Sequence, residues 1–192
     1  MRLFVAVDLP EPARRAVAAE QRRIATALGR AATPVRWVRP EQMHLTLVFL
    51  GDVDEASVPA LVGAISRDVG APPFDIVLSG TGVFPARGAP RAVWVGVGDG
   101  ALAALQKDMA ERVARMGIPL EARPFHPHLT LGRWRAARLS DRVRALAAAR
   151  PEAVALVRVD HATLYQSHLS PERGEGPACT ALARANLTGT ST

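Results

Sequence analysis

The sequence predicts an α+β protein in which two pseudo-symmetric lobes of largely antiparallel sheet carry outer helices and enclose a central cleft. Three observations lead to this fold class. Apolar residues recur at helical spacing in several segments, strand-like runs lie between these segments, and one tetrapeptide occurs twice, at residues 44–47 and 128–131. Because the sequence contains no regular βαβ repeat with a glycine-rich phosphate turn, an antiparallel sheet is favoured over a parallel one.

Four segments have apolar residues three and four positions apart, as in amphipathic helices. The two clearest span residues 58–69 and 102–116, and a glycine follows each of them. A third follows Pro12 and ends at Gly29, and a shorter one covers residues 140–149. The strand-like runs between them cover residues 3–8, 35–38, 44–50, 74–83, 92–97, 128–134, 154–165 and 178–187.

Composition and charge limit the class of protein. With 192 residues, 48% of them hydrophobic, the chain is long enough for one substantial core, and we expect a single bilobal domain over residues 1–192. No apolar run approaches the length of a membrane span. The net charge of +6 is carried almost wholly by arginine, whose donor fork suits phosphate, so RNA is a natural partner. Codon usage in a GC-rich genome explains the same charge equally well.

The chain has a single cysteine, Cys179. One cysteine excludes an internal disulfide and a cysteine zinc cluster, and we expect Cys179 to be a small buried side chain. The lack of disulfides fits the reducing cytoplasm. We expect a monomer because no apolar surface stripe is left unassigned.

The repeated tetrapeptide, His-Leu-Thr-Leu at residues 44–47 and 128–131, has the pattern of a strand segment. Because residues i and i+2 of a strand share a face, each histidine lies beside its threonine while the leucines point into the core. Two such strands facing each other would offer a general acid and a general base around one phosphate-sized hole. Such a pair is the minimum needed for metal-free cleavage of a phosphodiester. Two polar strand faces in water, without chemistry, are the alternative.

Spacing alone does not identify the site. Five histidines and ten threonines give about 0.3 expected His-x-Thr matches, whereas the chain has three, the third being His161 and Thr163. His126 and His128 share a strand face, but no cysteine or carboxylate near them in sequence completes a metal-binding set. The residues around each match are therefore needed to identify which two of the three matches form the site.

That context resembles the 2H phosphoesterases, and within them the RNA 2′,3′-cyclic phosphodiesterase family, also called 2′-5′ RNA ligases. The resemblance lies in RLFVAV at residues 2–7, VRWVRPEQMHLTLVFLG at 35–51, RPFHPHLTLGR at 123–133 and LYQSHL at 164–169. It extends from Met1 to about Arg173. It selects His44 and His128 as the catalytic pair, and it leaves His161 and Thr163 as the exposed face of a neighbouring strand.

The resemblance implies hydrolysis of RNA 2′,3′-cyclic phosphate ends to 2′-phosphomonoesters without metal or cofactor. His44 is implied as the acid that protonates O3′ and His128 as the base that activates water. Thr46 and Thr130 are implied to donate hydrogen bonds to the non-bridging oxygens. The residues themselves do not assign the acid and the base, and the near-symmetry of the motifs would allow the roles to exchange in reverse, as 2′-5′ ligation.

Four further residues are candidates for substrate contacts. Phe4, Trp37 and Phe125 could stack a base, or belong to the core. Arg133 lies five positions after His128, an odd offset, so it reaches the phosphate only if the strand bends or ends near Gly132. Two other functions stay open: action on small cyclic nucleotides or ADP-ribose cyclic phosphate, and RNA binding without turnover.

Overall fold

The computed structural model describes residues 1–98, 100–120, 124–168 and 178–190. Arg123, Leu169 and Arg173, which belong to the part of the chain that carries the resemblance, lie outside the described residues.

The described residues form nine strands and four α-helices. The strands are β1 (Arg2–Asp8), β2 (Val35–Trp37), β3 (His44–Asp52), β4 (Phe74–Phe84), β5 (Ala92–Gly98), β6 (His128–Trp134), β7 (Ala153–Val159), β8 (His161–His168) and β9 (Ala178–Asn186). The helices are α1 (Glu11–Leu28), α2 (Val58–Ile65), α3 (Gly100–Ala114) and α4 (Leu139–Ala147). Helix α1 illustrates the local signals: a proline stands in its first turn, and Gly29 ends it at a φ of 70°, which favours glycine.

The strands form two antiparallel sheets. The first sheet has the order β3-β1-β8-β9 and the second has the order β2-β6-β5-β4-β7. Strands β3 and β6, which begin with the two motifs, contact each other between the sheets. The fold class is therefore confirmed, and the motif strands meet where the two lobes join.

One cluster of buried apolar side chains runs through both sheets, and the four motif leucines belong to it: Leu45, Leu47, Leu129 and Leu131. This shared core supports the expected single domain.

The lobes do not correspond to the two halves of the sequence. Strand β2, from the first half, joins the second sheet, whereas β8 and β9, from the end of the chain, complete the first. The helices are exchanged as well, because α1 packs on β7 and α4 while α3 packs on β3 and α2. Each lobe is thus assembled from distant parts of the chain.

Two predicted elements are corrected. The run at residues 154–165 is not one strand: it breaks at Asp160 into β7 and β8, which lie in different sheets. Helix α2 ends at Ile65, four residues before the predicted end, because Val69 instead forms a bridge with Leu187. In the described part of the chain, no helix is long and apolar enough to span a membrane.

Candidate active site

The two motif strands have the same irregularity. On β3, Thr46 pairs with Ala6 and Phe49 pairs with Phe4, although three positions separate Thr46 from Phe49 and only two separate Ala6 from Phe4. The extra residue is a β-bulge, which shifts the alternation of side chains by one. Phe49 therefore lies on the same face as His44 and Thr46.

Strand β6 has the equivalent bulge. Thr130 pairs with Trp94 and Arg133 pairs with Ala92, so an odd offset in sequence becomes a shared face in the sheet. Arg133 is exposed on the face that carries His128 and Thr130. The condition set by the sequence analysis, a local bend near Gly132, is met by this bulge.

Both histidines are held in the same way by the backbone. His44 Nδ1 lies 2.9 Å from the carbonyl oxygen of Gln42, and His128 Nδ1 lies 2.7 Å from that of His126. Because a carbonyl oxygen only accepts, each Nδ1 carries a proton and donates it, which leaves Nε2 as the reactive nitrogen. The two half-buried imidazoles are thus held in the same orientation, each with Nε2 free of this bond.

Their surroundings differ. The His44 ring stacks on Phe4, with ring centroids 4.6 Å apart, and Phe4 in turn stacks on Tyr165. Directly across the strand pair, Asp8 is the register partner of His44. His44 therefore has an aromatic ring stacked on its imidazole and an acidic residue opposite it on the neighbouring strand.

Asp8 is at the centre of a hydrogen-bonded cluster. Its carboxylate accepts from His161 Nε2 at 3.0 Å, from the Thr163 hydroxyl at 2.8 Å and from the Tyr165 hydroxyl at 2.5 Å. His161 Nδ1 is 2.5 Å from Asp160. Burial alone would raise the pKa of Asp8, but the bonds from His161, Tyr165 and Thr163 outweigh it and lower the pKa to about 2. Asp8 is thus an anion throughout the neutral range.

This cluster corrects the prediction for the third His-x-Thr match. Thr163 is only 1% exposed, and His161 is half-buried, so the two are not the exposed face of a strand. They support Asp8 beside the first motif because β8 pairs with β1.

His128 lies among aromatic side chains instead. Its ring meets Phe84 edge to face at 4.8 Å, and Trp94 lies 6.2 Å away. Its register partner is Gly96, which offers no side chain. A Cβ at Gly82 would lie 2.1 Å from the Trp94 ring, so glycine there is required by the close approach of the indole.

The charges near the two histidines are opposite in sign. Burial lowers the pKa of His44, while the Gln42 carbonyl and the negative charge of Asp8 raise it. Burial also lowers the pKa of His128; the His126 carbonyl raises it, but the cationic charges of Arg133 and His126 lower it further. Burial dominates at both rings, so both pKa values lie below the ordinary histidine value, but the neighbouring charges act in opposite directions on the two imidazoles.

The three aromatic candidates differ in how far they are buried. Phe4 is only 5% exposed and packs on His44, so the expectation that it stacks a base is corrected: it supports the histidine. Trp37 pairs with Gly132 on the face opposite Arg133 and is partly buried against the core, and its contact with substrate stays a prediction. Phe125 is half-buried against the core, and its contact with substrate stays a prediction.

Two further predictions concern residues away from the motifs. Cys179 is exposed, not buried, because it lies on β9 at the edge of the first sheet. Exposed His168 lies 3.1 Å from the hydroxyl of Thr180. Among the described residues, no group of three or more histidine, cysteine or acidic side chains is placed to hold a metal ion.

Four residues of the site were not predicted from the sequence, namely Asp8, Tyr165, Phe84 and Trp94. The signals for Asp8 were its place as the single charged residue after a buried strand and the presence of an unexplained His-x-Thr match. Glycines at alternate positions on β4 and β5, such as Gly82 and Gly96, marked the space that the Trp94 ring occupies. None of these signals says which strands are neighbours.

The chain is similar to several characterised proteins. A sequence profile described as the 2′-5′ RNA ligase superfamily matches residues 9–171. The RNA 2′,3′-cyclic phosphodiesterase of Methanothermobacter thermautotrophicus is 36% identical over 175 residues, which cover 89% of this chain and 92% of that protein. The enzyme of the same name from Archaeoglobus fulgidus is 37% identical over 134 residues, covering 69% of this chain and 72% of that one.

Solved structures of similar proteins have the same fold as this chain. A protein of Thermus thermophilus superposes with a TM-score of 0.76 and 32% identity over the full length of both chains. Escherichia coli LigT, in complex with 3′-AMP, superposes with a TM-score of 0.74 and 29% identity, covering 97% of this chain and 98% of that one.

Proposed function

Because the chain belongs to the 2′-5′ RNA ligase superfamily, we propose that it is an RNA 2′,3′-cyclic phosphodiesterase, a hydrolase of the 2H phosphoesterase type. The observation that carries the proposal is the meeting of β3 and β6, each beginning with a histidine whose Nδ1 is bonded to a carbonyl. Two reactive Nε2 atoms on adjoining strands are what hydrolysis of a cyclic phosphate requires.

The charge next to each histidine supports the acid and base roles that we assign. His44 is the acid, since the Asp8 carboxylate across the strand pair stabilises its imidazolium. His128 is the base, since it faces Gly96 in place of a carboxylate and lies near cationic Arg133. Electrostatics thus supports the assignment that the family resemblance implied.

In the proposed reaction, one histidine accepts a proton and the other donates one. His128 Nε2 takes a proton from water as the water oxygen bonds to phosphorus. The bond from phosphorus to O3′ breaks, and His44 gives its proton to O3′, which leaves a 2′-phosphomonoester and a free 3′-hydroxyl. Thr46, Thr130 and Arg133 share faces with the histidines and donate hydrogen bonds to the non-bridging oxygens, where negative charge develops.

Phosphorus NMR tests this proposal. A short RNA ending in a 2′,3′-cyclic phosphate is incubated with the protein in the presence of a chelator. We expect conversion to a 2′-phosphomonoester, which places the acid on the O3′ side. A 3′-phosphate product would contradict the assignment of His44 and His128, and loss of activity restored by added zinc would contradict the metal-free mechanism.

The same assay distinguishes the remaining alternatives. Turnover of adenosine 2′,3′-cyclic monophosphate or ADP-ribose cyclic phosphate without turnover of the oligonucleotide would indicate a small-nucleotide enzyme. Tight RNA binding by the folded protein without turnover would indicate a binding module. The proposal also includes a cytoplasmic monomer and, at high concentrations of 5′-hydroxyl and 2′,3′-cyclic ends, slow 2′-5′ ligation.

A further inference from the structure

A groove lined by arginines lies at the end of the second sheet. It has a volume of about 390 Å³ and runs between the loop at residues 85–91 and the segment at residues 134–137. Three exposed arginines line it, namely Arg87, Arg91 and Arg135, and none of its described lining residues is acidic. We call this feature the arginine groove.

The arginine groove begins where the active-site face of the second sheet ends. Phe84, Ala92 and Arg133 form one row across β4, β5 and β6, on the face that carries His128. The Phe84 ring touches His128, and the next residue, Pro85, already lines the groove. Arg91 comes directly before Ala92 in the sequence, and Arg135 comes two residues after Arg133. One surface therefore connects the histidine to the groove.

The distance between His128 and the arginine groove suits the binding of an oligonucleotide better than that of a single nucleotide. Four ladder steps separate the row of His128 from the row of Arg133, which corresponds to about 13 Å along the strands. A cyclic phosphate at the 3′ end of RNA has the rest of the chain on its 5′ side. The groove is thus placed for phosphates roughly two or more nucleotides from the reacting end.

The groove walls are held in place before any ligand binds. Arg142 on α4 donates to the carbonyls of Pro85, Ala86 and Gly88, which fixes the loop. The other wall is tied to the loop by a hydrogen bond of 3.0 Å from the Trp134 amide to the Arg91 carbonyl. Within the described part of the chain, no carboxylate forms an ion pair with the three groove arginines. Their guanidinium groups remain available for phosphate, which they can bind through two donors.

We propose that the arginine groove binds the phosphodiester backbone of RNA on the 5′ side of the cyclic end, so that the enzyme prefers oligonucleotides to mononucleotides. The proposal rests on the proposed function and names its substrate class. Because the contacts are to phosphates, binding in the groove is independent of base sequence and sensitive to salt.

The test compares a hexanucleotide ending in 2′,3′-cyclic phosphate with adenosine 2′,3′-cyclic monophosphate. The variant combines Arg87→Glu, Arg91→Glu and Arg135→Glu. We expect kcat/KM for the hexanucleotide to fall at least tenfold, chiefly through KM, while turnover of the mononucleotide changes less than twofold. In the parent protein, log KM for the hexanucleotide should rise with log salt; the variant should lose about two units of this slope, at about 0.7 per phosphate contact on single strands.

A matched control separates local contacts from net charge. Arg22→Glu, Arg67→Glu and Arg115→Glu change three exposed arginines outside the groove and lower the net charge by the same amount. Three results would overturn the proposed role of the groove. They are an equal loss of kcat/KM in the control variant, an equal loss on both substrates, and a parent protein that does not prefer the hexanucleotide. A parent that turns over neither substrate would instead overturn the proposed function. If the charge reversals unfold the protein, as judged by circular dichroism, the Arg→Gln versions of both sets replace them.

Discussion

The two motif strands share a tetrapeptide, a β-bulge and a backbone carbonyl on each histidine, yet they differ in what faces them. Asp8 is the register partner of His44, whereas Gly96 is the register partner of His128. Five positions after each histidine, the bulge exposes Phe49 in the first sheet, 40% exposed and beneath the guanidinium of Arg2, but Arg133 in the second. Identical motifs thus acquire different chemical surroundings from the strands beside them.

A second difference follows from the position of each strand in its sheet. Strand β3 is an edge strand, so there is room for the side chain of Val48, four residues after His44. Strand β6, in contrast, is flanked by β2. At the equivalent position, a Cβ on Gly132 would lie 2.6 Å from the side chain of Val35. Glycine is therefore needed on β6 and not on β3. The neighbouring strand accounts for this sequence difference between the two motifs.

Removing either imidazole tests what the two regions have in common and should have the largest effect. His44→Ala and His128→Ala are each expected to lower kcat about 10³-fold or more, because each removes one of the two proton-transfer groups. Single-turnover hydrolysis of a cyclic-phosphate oligonucleotide measures the loss, and exposed His168→Ala serves as the control. Substantial activity in either folded variant would contradict the two-histidine mechanism.

Replacing Arg133 tests the cationic side of the comparison. Arg133→Gln should lower kcat/KM about 10- to 100-fold, since a hydrogen bond to a charged group contributes about 1.5–3 kcal/mol. Because the Arg133 charge lowers the pKa of His128, its removal should also move the acidic limb of the pH–rate profile to higher pH. An unchanged acidic limb would mean that the charge of Arg133 does not act on His128.

Replacing Asp8 tests the anionic side. Asp8→Asn removes the charge that raises the pKa of His44, so His44 should lose its proton at lower pH. The basic limb of the pH–rate profile should move to lower pH, and kcat above neutral pH should fall about tenfold. The control is Asp75→Asn on β4, where the exposed carboxylate forms a surface ion pair with Arg158. A uniform loss at every pH would indicate a purely structural role for Asp8.

The smallest expected effect concerns stability at the Asp8 cluster. The hydrogen bond to Asp8 raises the pKa of His161 and burial opposes it, so the ion pair stabilises the fold fully below the unfolded histidine pKa of about 6.5. This contribution is lost as pH rises through the higher folded pKa. His161→Gln should therefore cost about 1 kcal/mol of unfolding free energy near pH 5.5 and less at pH 9. Urea unfolding at both pH values measures the difference, and an equal cost at both would contradict the ion pair.

Several features could be predicted from the sequence because they depend on local patterns. Alternation in the two motifs identifies strands whose leucines face the core, and the structure buries all four leucines. Helical spacing located the four helices within a few residues of their observed bounds. The context of the motifs separated His44 and His128 from His161, although all three match the same short pattern.

Local patterns in the sequence were thus enough for the fold class, for the family resemblance and for the choice of His44 and His128 as candidates. The pairing of β1 with both β3 and β8, which brings Asp8, His161 and Tyr165 to the first motif, depends on tertiary contacts. The same holds for the bulges that bring Phe49 and Arg133 to the active-site face. The physical reason is that strand pairing and register are fixed by packing between residues far apart in the chain, whereas periodicity reports only how one segment divides its faces between core and solvent.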